Sequence, residues 1–383
     1  MRRLSAIIFS FFAIFSCIDT VAAASKGPSA PSWTQTPKTL QPDVQFWIDV
    51  YSKYDNNTAV LHDTEYMGVI YGTVNLQDLP CLDFCADSVK KARQDRVNDA
   101  KERVRKILLT LANNPPDAAL SPEAKRIKAI WRKHTNSNVF EEAADKKRLR
   151  AQTGQKTRFE IGLTYAELYM PKFEAIFKNA RLPIELTRLV MVESMFNMKA
   201  ISHAGASGVW QFMPGTGRRY GLRITKSIDE RNDPLLATYA ATRMLKHDYD
   251  ILGTWPLTIN AYNAGLGHLN RAVAALGTRD ISKIIRNHRQ GSYGFASRNY
   301  YPEFLAACDV YDKRNIYFPQ MKHLPQLSYK TISINKPIPI KDLARKQRTS
   351  VAVIENLNPS LQDAVISGRI PIPDGVEIRI PTR

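Results

Sequence analysis

The sequence is poor in the residues that build metal centres. Its seven histidines never fall in an HExxH pattern, and the CxxxC of Cys81 and Cys85 has no second pair to complete a zinc site. No metal and no cofactor are therefore expected. In an oxidising compartment the same two cysteines could close a small loop. Cys308 lies in a helical pattern and is expected to be a buried small side chain.

Long apolar runs are missing beyond the first 24 residues, so no later segment is expected to span a bilayer. At the start, two arginines precede an apolar run from Leu4 to Ile18, and small residues follow up to Ala24. This is the pattern of a secretory signal peptide, residues 1–24. Cleavage after Ala24 and lipid attachment at Cys17 both remain open. The mature protein is expected in the periplasm of a Gram-negative bacterium, soluble or lipid-anchored to the outer membrane.

Acidic residues are outnumbered, since 54 Lys and Arg stand against 36 Asp and Glu and give a formal charge of +18. The predicted leader holds two arginines and one aspartate, a net +1, which leaves +17 for the mature chain. A surplus of this size indicates an anionic partner, and an exported protein meets acidic cell-wall polymers or lipid surfaces. No nucleic-acid partner is expected. The alternative is that the charge serves solubility alone.

Internal repeats of the length that builds solenoids are absent. Residues 25–42 are rich in Ser, Pro and Thr and are expected to form a flexible linker. Residues 43–154 are expected to be a helical N-terminal region without chemistry of its own. Dense helix signals, such as the cap of Asp233 followed by Pro234, predict an all-α part over residues 155–315. Residues 328–383 change to a small β-α-α-β pattern, so the fold class is mainly α.

One carboxylate lies where apolar residues are expected. Glu193 falls on an apolar helix face, which is predicted from the spacing of Leu186, Leu189, Val190 and Phe196. Burial penalises the charged form of a carboxyl, so Glu193 is either paired or neutral and available for chemistry. Pairing with a buried arginine such as Arg188 is the alternative to a catalytic role.

Three motifs follow one another in the predicted all-α part: Glu193-Ser194, GASGVWQFMP from Gly205 to Pro214, and AYNAG from Ala261 to Gly265. Together they resemble the lysozyme-like catalytic domain of the bacterial lytic transglycosylases, most sharply the membrane-bound murein transglycosylase D group. The segments DERNDP and NYYPEFLAA extend the likeness across residues 155–315.

The resemblance implies that Glu193 is the single catalytic acid and base. It implies that six further residues bind the substrate or surround the carboxyl: Ser202, Gln211, Met213, Tyr262, Asn263 and Tyr300. The implied reaction breaks the β-1,4 bond between N-acetylmuramic acid and N-acetylglucosamine without water and leaves a 1,6-anhydro end. Peptidoglycan glycan strands are thus the expected partner, and the protein is expected to be a monomer.

Two other functions stay open. A hydrolytic muramidase of the goose-lysozyme type would be expected to use a second carboxylate. No second acid in the sequence has comparable placement, because Asp229, Glu230 and Asp233 are interpreted as a turn and a cap. The other function is that of a catalytically inactive peptidoglycan-binding protein, and an intact Glu193 argues against it.

The C-terminal pattern resembles a LysM peptidoglycan-binding module. Two strands, Tyr329 to Ile334 and Val376 to Ile380, enclose helices around Leu343 and Val353. The segments SVAVIENLNPSL and GRIPIPDGVEIRIP match the second half of the module, whereas KPIPIKDLA replaces its usual Gly-Asp-Thr-Leu opening. Glycan binding and purely structural packing both remain open. Deleting residues 328–383 is expected to leave the chemistry intact and at most weaken binding to murein.

The leader gives a testable prediction. We expect the protein to be exported and any membrane anchoring to depend on Cys17, because the segment from Ile14 to Cys17 resembles the box that precedes a lipid-modified cysteine in bacterial lipoproteins. Palmitate labelling of wild type and of Cys17→Ala, followed by cell fractionation, measures both. Label in the wild type alone excludes soluble release, and a protein that stays in the cytoplasm contradicts export.

Overall fold

The computed structural model describes residues 32–82, 85–134, 138–325 and 327–382. The predicted signal peptide, Cys17 and the first part of the predicted linker lie outside these residues. The described part of the linker contains two short 3-10 helices, Ser32–Thr34 and Lys38–Leu40, and Leu40 is fully buried. From Thr36 to Arg383 the chain forms one compact unit, to which the elements described next belong.

The N-terminal region contains a sheet as well as helices. Its elements are α1 (Gln41–Ser52), β1 (Thr58–Asp63), β2 (Ile70–Asn75), α2 (Asp87–Ala112), α3 (Pro122–Ile130), α4 (Val139–Ala143) and β3 (Leu149–Thr153). The strands form an antiparallel sheet in the order β2-β1-β3. The expectation of a helical region did not include this sheet. The disulfide between Cys81 and Cys85 closes a loop between β2 and α2.

The sheet was missed because its central strand has no alternating pattern. All residues of β1 after Thr58 are buried, since β2 and β3 flank the strand and side chains cover it. A short, continuously buried run of this kind cannot be distinguished from a buried helical turn by periodicity. The sheet shares a hydrophobic core with α2, α3 and α4, centred on Leu61, Leu108, Ile127 and Trp131.

The expected helical part follows, and the mainly α fold is confirmed. Its helices are α5 (Lys156–Asn179), α6 (Leu189–Glu193), α7 (Pro214–Arg219), α8 (Pro234–Leu252), α9 (Trp255–Ala264), α10 (Leu266–Leu276), α11 (Ile281–Asn287), α12 (Phe295–Asp312) and α13 (Arg314–Tyr317), with a 3-10 helix at Ile184–Arg188. Helix α12 is central, because it packs on α1, α6 and α9. Of the described helices, none combines the length and the hydropathy needed to cross a bilayer.

The C-terminal unit has the predicted strands and helices. Its elements are β4 (Tyr329–Ile334), α14 (Ile340–Lys346), α15 (Val351–Leu357), α16 (Asp363–Ile366) and β5 (Val376–Pro381). The two strands pair antiparallel, and the short α16 is an addition to the predicted pattern. A separate hydrophobic core fills the unit, and Ile228 of the preceding helical part contributes to that core.

Polar contacts also join the C-terminal unit to the helical part. Arg379 of β5 forms a two-pronged ion pair with Asp233, with Nη1 to Oδ2 at 2.6 Å and Nη2 to Oδ1 at 2.9 Å. Asp233 in turn caps α8 by accepting the N–H groups of Leu235 and Leu236. Removing residues 328–383 would expose Ile228 and leave Asp233 unpaired, so we now expect that deletion to destabilise the helical part.

The ion pair makes a stability prediction. Arg379→Ala leaves the carboxylate of Asp233 buried without its partner, since the two side chains are only 13% and 5% exposed. Breaking a buried pair in this way costs about 3–5 kcal/mol of the free energy of unfolding. Urea denaturation followed by circular dichroism measures the loss.

The matched control lies in the same unit. Arg345 pairs with Asp342, but these side chains are 81% and 50% exposed. Arg345→Ala should change the free energy of unfolding by about 1 kcal/mol or less. Equal losses in the two variants would contradict the prediction.

Candidate active site

Helix α6 presents Glu193 at its last position. The chain turns sharply after it, because Met195 and Phe196 have φ angles of 47° and 57°. Positive φ is unfavourable for such side chains and persists only where the surroundings enforce it. The spacing predicted Phe196 on the same helix as Glu193, and this was wrong, because α6 ends at Glu193. Phe196 is nevertheless buried. The strained turn exposes one side of the carboxyl to the groove described below.

Two contacts enforce this turn. A Cβ on Gly162 of α5 would lie only 2.3 Å from the carbonyl oxygen of Met195, so only glycine allows the two backbones to come this close. On the other side, the Ser194 hydroxyl donates to the carbonyl oxygen of Val209 at 3.0 Å. The turn is thus fixed from α5 and from the segment between α6 and α7.

The carboxyl of Glu193 is tuned for proton transfer. Burial raises its pKa to about 7, while the hydroxyl of Tyr300, which donates to Oε1, opposes that rise. Arg188 is bound to Glu174 instead, so the alternative in which this arginine satisfies Glu193 is wrong. A carboxyl that is about half protonated near neutral pH can both give and take a proton.

Two tyrosines lie near the carboxyl of Glu193. The rings of Tyr300 on α12 and Tyr262 on α9 lie parallel, with centroids 6.5 Å apart. The Tyr262 hydroxyl donates to the carbonyl oxygen of Trp210 at 2.7 Å. Burial and the negative charge of Glu193 raise the pKa of both hydroxyls, so both remain protonated donors. The structure thus brings Tyr262 and Tyr300 together beside Glu193.

Asn263 acts between helices in this structure. Its Oδ1 accepts a hydrogen bond from the Ser297 hydroxyl at 2.9 Å, which links α9 to α12. The neighbouring Asn260 donates to the carbonyl oxygen of Ser297 and accepts from the hydroxyl of Tyr293, both at 2.7 Å. These bonds fix the start of the helix that carries Tyr300. A contact between Asn263 and substrate stays a prediction.

Ser202, Gln211 and Met213 lie between α6 and α7. The Ser202 hydroxyl accepts the N–H of Ala206 at 2.9 Å, and the Gln211 side chain donates to the carbonyl oxygen of Gly208 at 2.8 Å. Gln211 also has a positive φ of 49°. The two polar side chains therefore hold the shape of their own segment, and Met213 is exposed. That these three residues contact the sugar stays a prediction.

A groove with a volume of about 1160 Å³ passes Glu193. Its walls come from three parts of the chain, because residues of the N-terminal region, of the helical part and of the C-terminal unit all line it. The N-terminal region contributes Trp47, Tyr51 and Arg150 to this lining, and the expectation that it has no chemistry of its own stays a prediction. Trp47 is held in place by a hydrogen bond from its Nε1 to Oδ1 of Asn299 on α12, at 2.9 Å.

A second carboxyl, Glu303, lines the same groove. Burial and the negative charge of Glu193 raise its pKa to about 8, against a smaller opposing effect of Arg150. The expectation that no second acid has comparable placement was therefore wrong. The sequence did contain a signal for Glu303. In NYYPEFLAA, Tyr300 and Glu303 are three residues apart, which places both on one side of a helix.

Comparison with known proteins identifies a domain within the helical part. Residues 170–285 match the family model described as the transglycosylase SLT domain. The chain contains an SLT domain. Glu193, Tyr262 and the segment between α6 and α7 lie inside its matched residues, whereas Tyr300 and Glu303 lie beyond them.

Two curated proteins are similar to parts of this chain. The membrane-bound lytic murein transglycosylase D of Escherichia coli (strain K12) is 28% identical over 208 residues, which cover 54% of this chain and 45% of that protein. A putative tributyltin chloride resistance protein of Alteromonas sp. (strain M-1) is 34% identical over 110 residues, or 28% of this chain and 53% of that one. The chain thus spans about half the length of these relatives.

Among solved structures, the 70 kDa soluble lytic transglycosylase of Escherichia coli is 19% identical to this chain. The similarity covers 59% of this chain and 44% of that one, with a TM-score of 0.34.

The hydrogen bond between Tyr300 and Glu193 predicts a pH effect. Tyr300→Phe removes a donor that stabilises the ionised carboxyl, so the pKa of Glu193 should rise above its value of about 7. A reaction that uses protonated Glu193 as its acid slows as pH rises through this pKa, and in the variant the fall should come at higher pH. The rate of clearing a murein suspension across a range of roughly pH 5–9 measures the shift.

Tyr262→Phe is the matched control, because the Tyr262 hydroxyl donates to a backbone carbonyl and not to Glu193. Its alkaline limb should stay close to that of the wild type. A limb that moves to lower pH in Tyr300→Phe would contradict the assigned role of this hydrogen bond.

Proposed function

We propose that the protein is a lytic transglycosylase that cleaves the β-1,4 bond between N-acetylmuramic acid and N-acetylglucosamine in peptidoglycan. The observation that carries the proposal is Glu193, a half-buried carboxyl with a pKa raised to about 7, which lies within an SLT domain and lines a groove of about 1160 Å³. The Escherichia coli relative is named as a murein transglycosylase, which supports the substrate class.

In the proposed first step, protonated Glu193 gives its proton to the glycosidic oxygen as the bond from that oxygen to the muramyl C1 breaks. The acetamido oxygen of the substrate stabilises the positive charge that develops at C1, as the family resemblance implies. Tyr300, which donates to the carboxyl, stabilises the negative charge that remains on Glu193.

In the second step, ionised Glu193 takes the proton of the muramyl C6 hydroxyl. The oxygen of that hydroxyl closes onto C1, and the 1,6-anhydro ring forms. The proton lost in the first step is recovered, so the carboxyl returns to its starting state and no water is consumed. A pKa near 7 serves both steps, because an acid that is too weak or too strong would fail in one of them.

The presence of Glu303 in the groove favours a second candidate function, hydrolysis of the glycosidic bond, since a second carboxylate could activate water. Its raised pKa of about 8 argues against that role, because the group is then mostly protonated at neutral pH. A protonated carboxyl cannot act as a base. The muramidase function is therefore kept as the second candidate and is separated from the first by its products.

The site of action is also part of the proposal. The Escherichia coli relative is named as membrane-bound, and the sequence of this chain opens with the pattern of an exported protein. We place the enzyme in the periplasm, soluble or anchored through Cys17, where peptidoglycan is its partner. The positive charge of the chain suits that anionic polymer.

Glu193→Gln tests the assignment. The variant keeps the shape of the side chain but has no transferable proton, and acid–base help is worth about 10² to 10⁴ in rate. Since one group acts in both steps, we expect a loss at the upper end of that range or beyond, with folding and murein binding retained. Mass spectrometry of the released muropeptides should show 1,6-anhydro ends that resist borohydride reduction in the wild type.

Reducible muramic ends would assign hydrolysis instead. An active Glu193→Gln variant would exclude Glu193 from the mechanism. Glu174→Gln is a useful control, because Glu174 is also a partly buried acid of the helical part but pairs with Arg188. It should retain the wild-type product pattern.

A further inference from the structure

We infer that the C-terminal unit is a fixed wall of the substrate groove and binds the same glycan strand that Glu193 cleaves. The inference rests on the proposed function and adds a binding surface to it. A wall-binding module on a flexible tether would bind the polymer away from the cleavage point. The contacts of this unit point to the opposite arrangement.

The first step is that backbone contacts fix the unit to the turn that precedes α8. The N–H of Asp229 donates to the carbonyl oxygen of Ser360 at 2.8 Å, and the N–H of Gln362 donates to that of Ser227 at 3.0 Å. Between these bonds, the side chain of Ile228 is only 5% exposed and is buried in the core of the unit. The segment around residue 361 therefore has a defined position in the catalytic part.

The second step is that side-chain contacts hold the unit elsewhere as well. Besides the ion pair of Arg379 and Asp233, Arg223 donates to the carbonyl oxygen of Gly375 at 3.0 Å. Lys172 of α5 donates to the hydroxyl of Tyr329 at 2.9 Å. These contacts come from α5, from the segment after α7 and from the cap of α8, and contacts at several separate places oppose a hinge motion.

The third step is that the fixed segment faces the cleavage site. Glu355, Asn356, Gln362 and Asp363 line the same groove as Glu193. At about 1160 Å³, the groove exceeds the range of about 300–1,000 Å³ that is typical of small-molecule pockets. Space of this size suits several linked sugars. A strand that lies across Glu193 would then extend onto the C-terminal unit.

The fourth step is chemical. The side-chain amides of Asn356 and Gln362 form no hydrogen bond with any residue that the structure describes. An amide offers two donors and one acceptor, which match the hydroxyl and acetamido groups of an amino sugar. Asn356 is exposed and Gln362 is half-buried, so both can exchange water for sugar. In the sequence, both residues come after α14, so neither belongs to the segment KPIPIKDLA that replaces the usual opening of a LysM module.

The test uses the full chain with Asn356→Ala and Gln362→Ala combined, and soluble uncross-linked glycan chains as substrate. Loss of one or two hydrogen bonds to the strand should raise KM about 5- to 100-fold. The kcat and the alkaline limb of the pH profile should stay unchanged, because Glu193 and Tyr300 are untouched. Gln347→Ala is the matched control, since Gln347 is an amide of the same unit outside the groove lining.

A second pair of variants, Asn356→Asp and Gln362→Glu, removes the amide donors at constant side-chain size. If the double alanine protein proves unstable, the test uses this second pair, and the same rise in KM is expected. Unchanged KM in both sets, or a fall in kcat at constant KM, would overturn the inference while leaving the proposed function in place. A wild-type protein that does not cleave the glycan chains would overturn the proposed function itself.

Discussion

The buried ion pair of Arg231 and Asp229 connects most of the structural features of the site. Arg231 donates to both carboxylate oxygens of Asp229 and to the carbonyl oxygens of Gly205 and Phe212, the latter two at 2.8 and 3.0 Å. A buried pair is tolerated only when its remaining hydrogen-bonding groups are satisfied, and here the backbone between α6 and α7 satisfies them. Gly208 completes the contact, because a Cβ there would lie 1.9 Å from the carbonyl oxygen of Arg231.

From this pair the constraints extend in two directions. Towards the carboxyl, the fixed segment supplies the carbonyl oxygen of Val209 to Ser194, the residue after Glu193. It also supplies the carbonyl oxygen of Trp210 to Tyr262, whose ring lies parallel to that of Tyr300. Towards the C-terminus, the turn that contains Asp229 forms backbone hydrogen bonds with the C-terminal unit. Asp233, which caps α8, forms an ion pair with Arg379 of that unit. The surroundings of Glu193 and the proposed strand-binding wall are therefore both in contact with residues 205–233.

Local signals in the sequence predicted what local interactions determine. Asp233 was recognised as a cap because its partners are two and three residues away, and Glu193 was found because its spacing conflicts with its apolar neighbours. Long-range contacts were not predictable in this way. Arg379 meets Asp233 from 146 residues away, and Trp47 meets Asn299 from 252 away. Glu303 lies between these cases: its helix spacing was visible, but its burial beside Glu193 depends on how α12 packs.

The two carboxyls of the groove bear on how one residue could serve both steps of the proposed reaction. Burial raises the pKa of both carboxyls, and the negative charge of Glu193 raises that of Glu303 further. Once Glu193 has given its proton to the leaving group, its negative charge holds the proton of Glu303 more firmly. No second base is then generated at the moment when water could attack. Within this pair the ionised Glu193 is then the base, and in the proposed reaction it takes the proton of the C6 hydroxyl.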